Sequence, residues 1–480
     1  MNRLKKLIHL DSQIYPILII FLFFLLYTSP PLWDPDFWWH VNTGRYILEH
    51  GGLPDKPVFN FTPAGDNTIR INTLLRGYWL GQVILYKAWE RAGISGVIIF
   101  RAALLGITLL LLYLFSRKAK PEIHLSNLIL AGTILFYFTG ERPQTIVFPL
   151  AILIFMLIRA YIERRSVLVF LLPLSTFLWA NIHGSILYGQ VILLIYAVSL
   201  LFSNEGLDKK NRAVLISLLL LSILVGFLTP VSFERLVSFI RSQQSVIIKT
   251  SIEFYSPLTI MKEFGIYYPS YWVLVTSTIL LSFMNYRSIP PSVHLTVIPS
   301  LLLSLTGARY MVFFALSTST LFRTIKDRAG KFIPLVLLLI SLISAIPQFS
   351  NLAPFNNTIK KDYPIEVVKK IGKLGSKRVF THLEWGGFVA FFVPESEVFI
   401  DGRQFSENTL IEYNMVISGV ESGYQKEWKG ILDKYRVDTV LLPYYDPVTR
   451  RPIPLVQRLS SDPNWAVTYR DDRSILFHRI

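Results

Sequence analysis

Apolar runs near the ~20 residues that a helix needs to cross a bilayer recur along the first three quarters of the chain. They begin with "YPILIIFLFFLLYTSP". Eleven are expected as spans, near 14–30, 94–116, 125–140, 144–162, 167–182, 185–203, 212–230, 269–285, 290–306, 309–325 and 332–348. Several are short for a bilayer, which fits tilted or re-entrant helices. From 357 onward charged residues become frequent and apolar runs shrink to strand length. "RVFTHL", "EVFIDGR", "VDTVLLP" and "SILFHR" predict strands. "PIEVVKKIGKL", "WGGFVAFF", "EYNMVISGV" with "YQKEWKGILDKY", and "IPLVQRLSSD" predict the intervening helices. Such alternation implies a small α/β domain with a mostly parallel sheet. The expected layout is a membrane domain over 1–350, with a first outer loop at 31–93, and an α/β domain over 357–480.

Composition agrees. Of 480 residues, 52% are hydrophobic and 17% charged, and the mean hydropathy is +0.44. A soluble chain carries about a quarter charged residues, so this is read as a mainly α-helical polytopic membrane protein. The first apolar run follows "MNRLKK", as in a signal peptide, but no small-residue cleavage site follows it. The net charge of +16 is assigned to loop lysines and arginines that orient the spans. No nucleic-acid partner is expected. The absence of cysteine excludes disulfides and thiolate metal sites.

Arg3, Lys5 and Lys6, "RKAK" (117–120), "ERR" (163–165), "DKKNR" (208–212) and "RTIKDRAGK" (323–331) fall on one set of connections. The positive-inside rule puts these in the cytoplasm. The N-terminus is then inside, the C-terminal domain outside, and the protein multi-pass in the cell (inner) membrane. The opposite face receives 31–93, "GERPQ" (140–144), "NIHGS" (181–185), "IEFYSP" (252–257), "GARY" (307–310) and the tail. Nearly every unusual polar motif lies there, which predicts an extracytoplasmic site at the membrane surface.

The stretch "DPDFWWHVNTGRYILEHG" (34–51) follows the first span. Asp34 before Pro35 signals a helix start, and Gly51 a stop near His50. Phe37, Val41, Gly44 and Leu48 make one stripe, and Asp36, His40 and Thr43 another, about 100° away. A helix lying along the membrane surface is expected, with Trp33, Trp38 and Trp39 in the interfacial aromatic belt. Asp34 has a job as the cap. Asp36 gains only about 0.3–1 kcal/mol from the helix dipole, which does not explain a carboxylate at a water–lipid boundary.

This acidic, aromatic-rich first loop resembles that of the C-type membrane glycosyltransferases. These include the dolichyl-phosphate-mannose–protein mannosyltransferases and the bacterial aminoarabinose transferase. With "RPQ", "WANIHGS", "EFYSP", "GARY", "EWGGFVAFF…VFIDGR" and "KYRVDTVLLP", the chain also resembles bacterial glycosyltransferase-like membrane proteins along nearly its whole length. The resemblance implies a polyprenyl-phosphate sugar as donor and a first-loop acid as the base that activates the acceptor. By position that acid is Asp36. The family often has two adjacent acids, whereas here they are split as "DPD", so Asp34 is the alternative.

Sugar transfer from a lipid phosphate needs a base, cations for the leaving phosphate, and a partly dry groove. The candidates for catalysis are Asp36, Asp34 and His40. Those for the donor phosphate are Arg142, Arg309, His183 and Arg45, since a guanidinium binds phosphate through two hydrogen bonds. Glu253, Asn181 and Glu141 are candidates for binding or positioning the acceptor. Plainer readings stand beside these: Arg142 pairing with Glu141, Arg309 snorkelling to headgroups, and "DGR" (401–403) as an ordinary turn. The spacing of Asp34, Asp36 and His40 would also suit a divalent ion, but such spacings are common by chance, and neither metal nor cofactor is expected. No P-loop is present, and "EWGGF" is too short for a dinucleotide fingerprint. The acceptor, whether lipid, glycan or protein, is left open. A lipid-linked-glycan transporter would place ionisable groups near the midplane and show internal repeats; a non-catalytic envelope assembly protein would tolerate loss of Asp36. The transferase reading requires carboxylate, imidazole and guanidinium groups to meet in one lipid-accessible pocket.

Overall fold

In a computed structural model a helix stands at each of the eleven segments expected to span. The structure describes residues 2–65, 68–242, 245, 251–325, 332–350, 353–421, 427–447 and 450–480. Within "RTIKDRAGK", residues 326–331 lie outside the described residues, as do the side chains of Arg3, Lys5 and Lys6 and the start of the helix expected at "YQKEW". Among the described residues three stretches are long and apolar enough to cross a membrane: Ile69–Ser116, Pro143–Arg164 and Phe332–Phe349. Others, such as Ile14–Thr28, Pro121–Phe136 and Ile186–Phe202, are shorter apolar helices.

The chain divides into two compact units. The membrane unit comprises Met1–Pro31, Ser95–Ser232 and Ile248–Asn357. Prolines open several of its helices at the first turn, as in Pro121–Phe136, Pro143–Arg164 and Pro269–Met284, where the missing N–H costs nothing. Buried Ser317, Thr318, Ser319 and Thr320 donate to carbonyls three residues back in their own helix, Met311–Thr324. This satisfies hydroxyls in an apolar interior. Arg323, near the C-terminus of that helix, and Lys118 both bond Glu163, at the C-terminal end of Pro143–Arg164. Three of the basic clusters assigned to one face therefore share one end of this unit.

The second unit comprises Leu32–Ile94, Phe233–Ile247 and Thr358–Ile480. The chain leaves it where helix Trp79–Ser116 breaks, at Ala92 (φ −148°) and Gly93 (φ 54°, ψ −138°). A left-handed φ of this kind favours glycine. Its sheet has strands β1 (Arg378–Thr381), β2 (Glu397–Val398), β3 (Thr439–Pro443), β4 (Trp465–Arg470) and β5 (Ser474–Arg479), in the order β2-β1-β3-β5-β4. β1 pairs in parallel with β2 and β3, while β5 is antiparallel to both β3 and β4. The sheet is mixed rather than mostly parallel. Strand β4, "WAVTYR", was not foreseen: it is an edge strand with only Trp465 buried, so it carries no apolar run. Phe380, Phe399, Val440, Phe477, Trp428 and Leu432 form the core. The first loop joins this sheet, with Val398 N–H donating to Phe59 O at 2.9 Å and Phe61 N–H to Val398 O at 3.3 Å.

The first-loop helix runs Pro35–His50, capped by Asp34 and closed by Gly51 at φ 65°. These bounds match the sequence signals, but its surroundings do not. Trp38 is fully buried among Phe37, Trp89, Tyr363, Phe388, Phe391 and Phe392. His40 and Thr43, expected to face water, are buried too. Trp38 and Trp39 belong to a protein core, not a lipid belt, whereas Trp33 is half-buried. The partner is helix Leu383–Phe392. There a Cβ on Gly387 would lie 3.0 Å from Trp39 N, and one on Gly386 would overlap Ile400 O. The paired glycines of "EWGGF" serve close packing.

Candidate active site

In the membrane unit three loops converge. Arg142 is the N-cap of Pro143–Arg164. Arg309 lies in the turn Ala308–Tyr310, which leads into Met311–Thr324. Glu253 sits in the turn Ile252–Phe254. Its Oε2 accepts from Arg142 Nη1 at 3.3 Å, and its Oε1 lies 3.7 Å from Arg309 Nη1. Ala308 N–H donates to Tyr255 O at 2.9 Å, and Arg309 stacks over Phe254 at 4.4 Å, which holds the two turns together. Desolvation pushes the Glu253 carboxyl up, and the charges of Arg309 and Arg142 outweigh it, holding the group below its ordinary value. Two guanidiniums, carried at or just before the starts of two helices, thus converge on one carboxylate, and paired guanidiniums suit an anion. All three side chains keep 23–35% of their surface exposed.

The neighbouring candidates have structural partners. Glu141 pairs with Arg101, with both side chains buried. Asn181, also buried, donates to Phe177 O and Leu228 O at 3.0 and 3.1 Å. His183 ends helix Leu172–Ile182 in extended backbone, and its Nδ1 accepts from Ser185 N–H at 3.1 Å. An accepting Nδ1 leaves the ring proton on Nε2.

The remaining candidates lie in the second unit. Asp34 is buried, and its Oδ1 accepts from Asp36 N–H at 3.0 Å. Asp36 is half-buried, and its Oδ1 accepts from Trp39 Nε1 at 2.9 Å. The His40 ring lies tilted against Trp39 with centroids 3.5 Å apart, and its Nδ1 lies 3.4 Å from Gln82 Nε2. Arg45 is on the same helix, nine residues on. That is about 13 Å and half a turn away from Asp36. It donates to Asn42 Oδ1 at 2.6 Å and covers Phe391.

The "DGR" turn is more than a turn. Asp401 and Arg403 form a buried ion pair, and Arg403 Nη2 also donates to Asn60 Oδ1 at 2.8 Å. Phe59 and Phe405 both contact its guanidinium, at 5.1 and 4.8 Å. Between them Gly402 lies against Asp36: a Cβ there would overlap Asp36 Oδ1.

Residues not singled out in the sequence gather at the carboxyl ends of β1 and β3. His382 Nε2 lies 3.3 Å from Asp446 Oδ2. The Glu384 carboxyl is pushed up by desolvation and further by the charges of Asp446 and Asp34, against His382 and Lys360. The only advance signal was position, since α/β sheets present ligands at this edge.

No protein-family model matches the sequence, and no curated protein does. Solved structures do match. The apo oligosaccharyltransferase of Archaeoglobus fulgidus aligns with a TM-score of 0.62 at 9% identity, over 89% of this chain and 69% of that one. The archaeal enzyme in complex with an inhibitory peptide and a dolichol-phosphate gives 0.60 at 11%, over 90% and 70%. The arabinofuranosyltransferase AftD from Mycobacteria gives 0.57 at 11%, over 97% of this chain and 40% of that one. At such identities the likeness concerns the fold alone: the chain shares the fold of these solved structures.

Proposed function

We propose that the protein is a glycosyltransferase that moves a sugar from a polyprenyl-phosphate donor to an acceptor on the outer face of the membrane. The observation that carries this reading is the pair Arg142 and Arg309, held on one carboxylate at the N-termini of two helices. Paired guanidiniums suit a phosphate, which supports the reading in a chain with a glycosyltransferase fold. The archaeal structure with bound dolichol-phosphate supports a lipid phosphate as the anion.

In the reaction the acceptor hydroxyl attacks the anomeric carbon, and its proton passes to Asp36. The bond from that carbon to the phosphate oxygen breaks, and the polyprenyl phosphate leaves with the electron pair. Arg142 and Arg309 stabilise the charge that grows on the phosphate. One displacement inverts the anomeric carbon. Glu253 holds the arginines apart and in place until the donor binds. The basic cluster around Glu163 supports a cytoplasmic assignment for that end of the membrane unit and, with it, an outer assignment for the arginine end.

Mass spectrometry of surface glycans tests this in the source organism. A strain lacking the gene is expected to miss a sugar that the wild-type gene restores and Asp36→Asn does not, at equal expression. Restoration by Asp36→Asn would remove Asp36 as the base.

A further inference from the structure

We propose that Trp39 and Gly402 position the Asp36 carboxylate, which makes the "DGR" turn of the tail domain a working part of the transfer site. This rests on the reading of Asp36 as the base.

The hydrogen bond from Trp39 Nε1 to Asp36 Oδ1, at 2.9 Å, fixes one carboxylate oxygen. Trp39 itself is held: it is 5% exposed, its ring lies against His40 with centroids 3.5 Å apart, and helix Leu383–Phe392 presents Gly387 to its backbone N. Gly402 lies against that same oxygen and the indole that bonds it. A Cβ there would overlap Asp36 Oδ1 and stand 3.2 Å from Trp39 Nε1, so only glycine lets the backbone form this wall. The wall does not yield, because residues on both sides of Gly402 are tied down. Asp401 and Arg403 pair with each other, and Arg70 donates to Arg403 O and Gln404 O at 3.3 and 3.1 Å.

Two consequences follow for a base. A hydrogen bond to the charged form keeps the carboxylate ionised. A fixed carboxylate also meets the acceptor hydroxyl without reorganising in the transition state. Neither Trp39 nor Gly402 gives or takes the transferred proton; both act through Asp36.

The test uses full-length protein in nanodiscs and a panel of polyprenyl-phosphate mannose, glucose, galactose and arabinose as donors. Wild type is compared with Trp39→Phe, Gly402→Ala, Asp36→Asn and the control Gly52→Ala, whose added Cβ meets nothing within 4 Å. Trp39→Phe keeps a ring and removes the N–H. It is expected to lower kcat about tenfold with donor KM unchanged, and to move the acid limb of the pH–rate profile upward, because the carboxylate loses a donor. Gly402→Ala is expected to lower kcat at least as much, and Gly52→Ala to match wild type. If Gly402→Ala does not fold, Trp39→Phe decides, provided its melting temperature equals that of wild type. An acid limb at the wild-type pH in Trp39→Phe overturns the proposal, whatever happens to kcat, while an inactive Asp36→Asn keeps the base. An active Asp36→Asn overturns the reading beneath it.

Discussion

Arg101 and Glu141 form an ion pair closed off from solvent, with 2% and 0% of their side chains exposed. The same guanidinium donates to Tyr27 O at 2.9 Å and Pro30 O at 2.8 Å, so one side chain ties the end of the first helix to the loop that carries Arg142. Removing one partner strands a buried charge, which costs about 3–5 kcal/mol. Arg101→Met and Glu141→Gln are each expected to lower the melting temperature in detergent sharply. The double variant Arg101→Met/Glu141→Leu should recover only part of the loss, because the Tyr27 and Pro30 carbonyls lose their donor. A Glu141→Gln protein that melts like wild type would contradict a structural role for the pair.

The anion site makes a prediction of opposite signs. Arg142→Ala or Arg309→Ala removes a charge-assisted hydrogen bond, worth roughly 1.5–3 kcal/mol. Each should weaken polyprenyl-phosphate binding about tenfold or more. Glu253→Gln removes the carboxylate that competes with the phosphate and should strengthen it. Titration of nanodisc-embedded protein with polyprenyl phosphate measures all three. Three affinities equal to that of wild type would leave the arginines without this role.

Glu384 predicts a pH effect on stability. Its carboxyl is raised in the folded state by desolvation and by the charges of Asp446 and Asp34. Between the ordinary carboxylate value and the raised one, the folded state binds more protons than the unfolded chain. Stability therefore rises as pH falls through that window, and is lower above it. Glu384→Gln removes the penalty of the charged form. It should raise the melting temperature at neutral pH, and the gain should shrink on acidification. A gain independent of pH would contradict this.

The paired glycines of "EWGGF" should not be equivalent. Gly386→Ala drives a methyl into the Ile400 carbonyl oxygen, whereas Gly387→Ala meets Trp39 N at 3.0 Å. Overpacking of this kind costs about 1–3 kcal/mol. Both variants should melt earlier than wild type, Gly386→Ala the more so. Equal melting of the two would show that the backbone at Ile400 gives way.

What the sequence made legible was local. Asp34-Pro35 and Gly51 bound the first-loop helix correctly, because caps are short-range chemistry. Arg142, Glu253 and Arg309 were assigned to one face and do meet, because alternating spans deliver alternate loops to the same end. Partners distant along the chain were not legible. Trp38 reads as a lipid-belt residue, because the helix that makes it core, Leu383–Phe392, is far along the chain. The pairing of Glu141 with Arg101 is not legible either, since Arg101 looks like a lone charge inside an apolar run. Nothing in "DGR" announces that its glycine meets Asp36, since a close backbone approach leaves no periodic trace.

A base at Asp36 would take the proton from the acceptor of a polyprenyl-phosphate sugar. Single-turnover transfer from a labelled donor by purified Asp36→Asn tests it most directly. The account predicts donor affinity equal to that of wild type and a rate lower by about 10²–10⁴-fold, the range for losing a general base. Transfer by Asp36→Asn at the wild-type rate would contradict it.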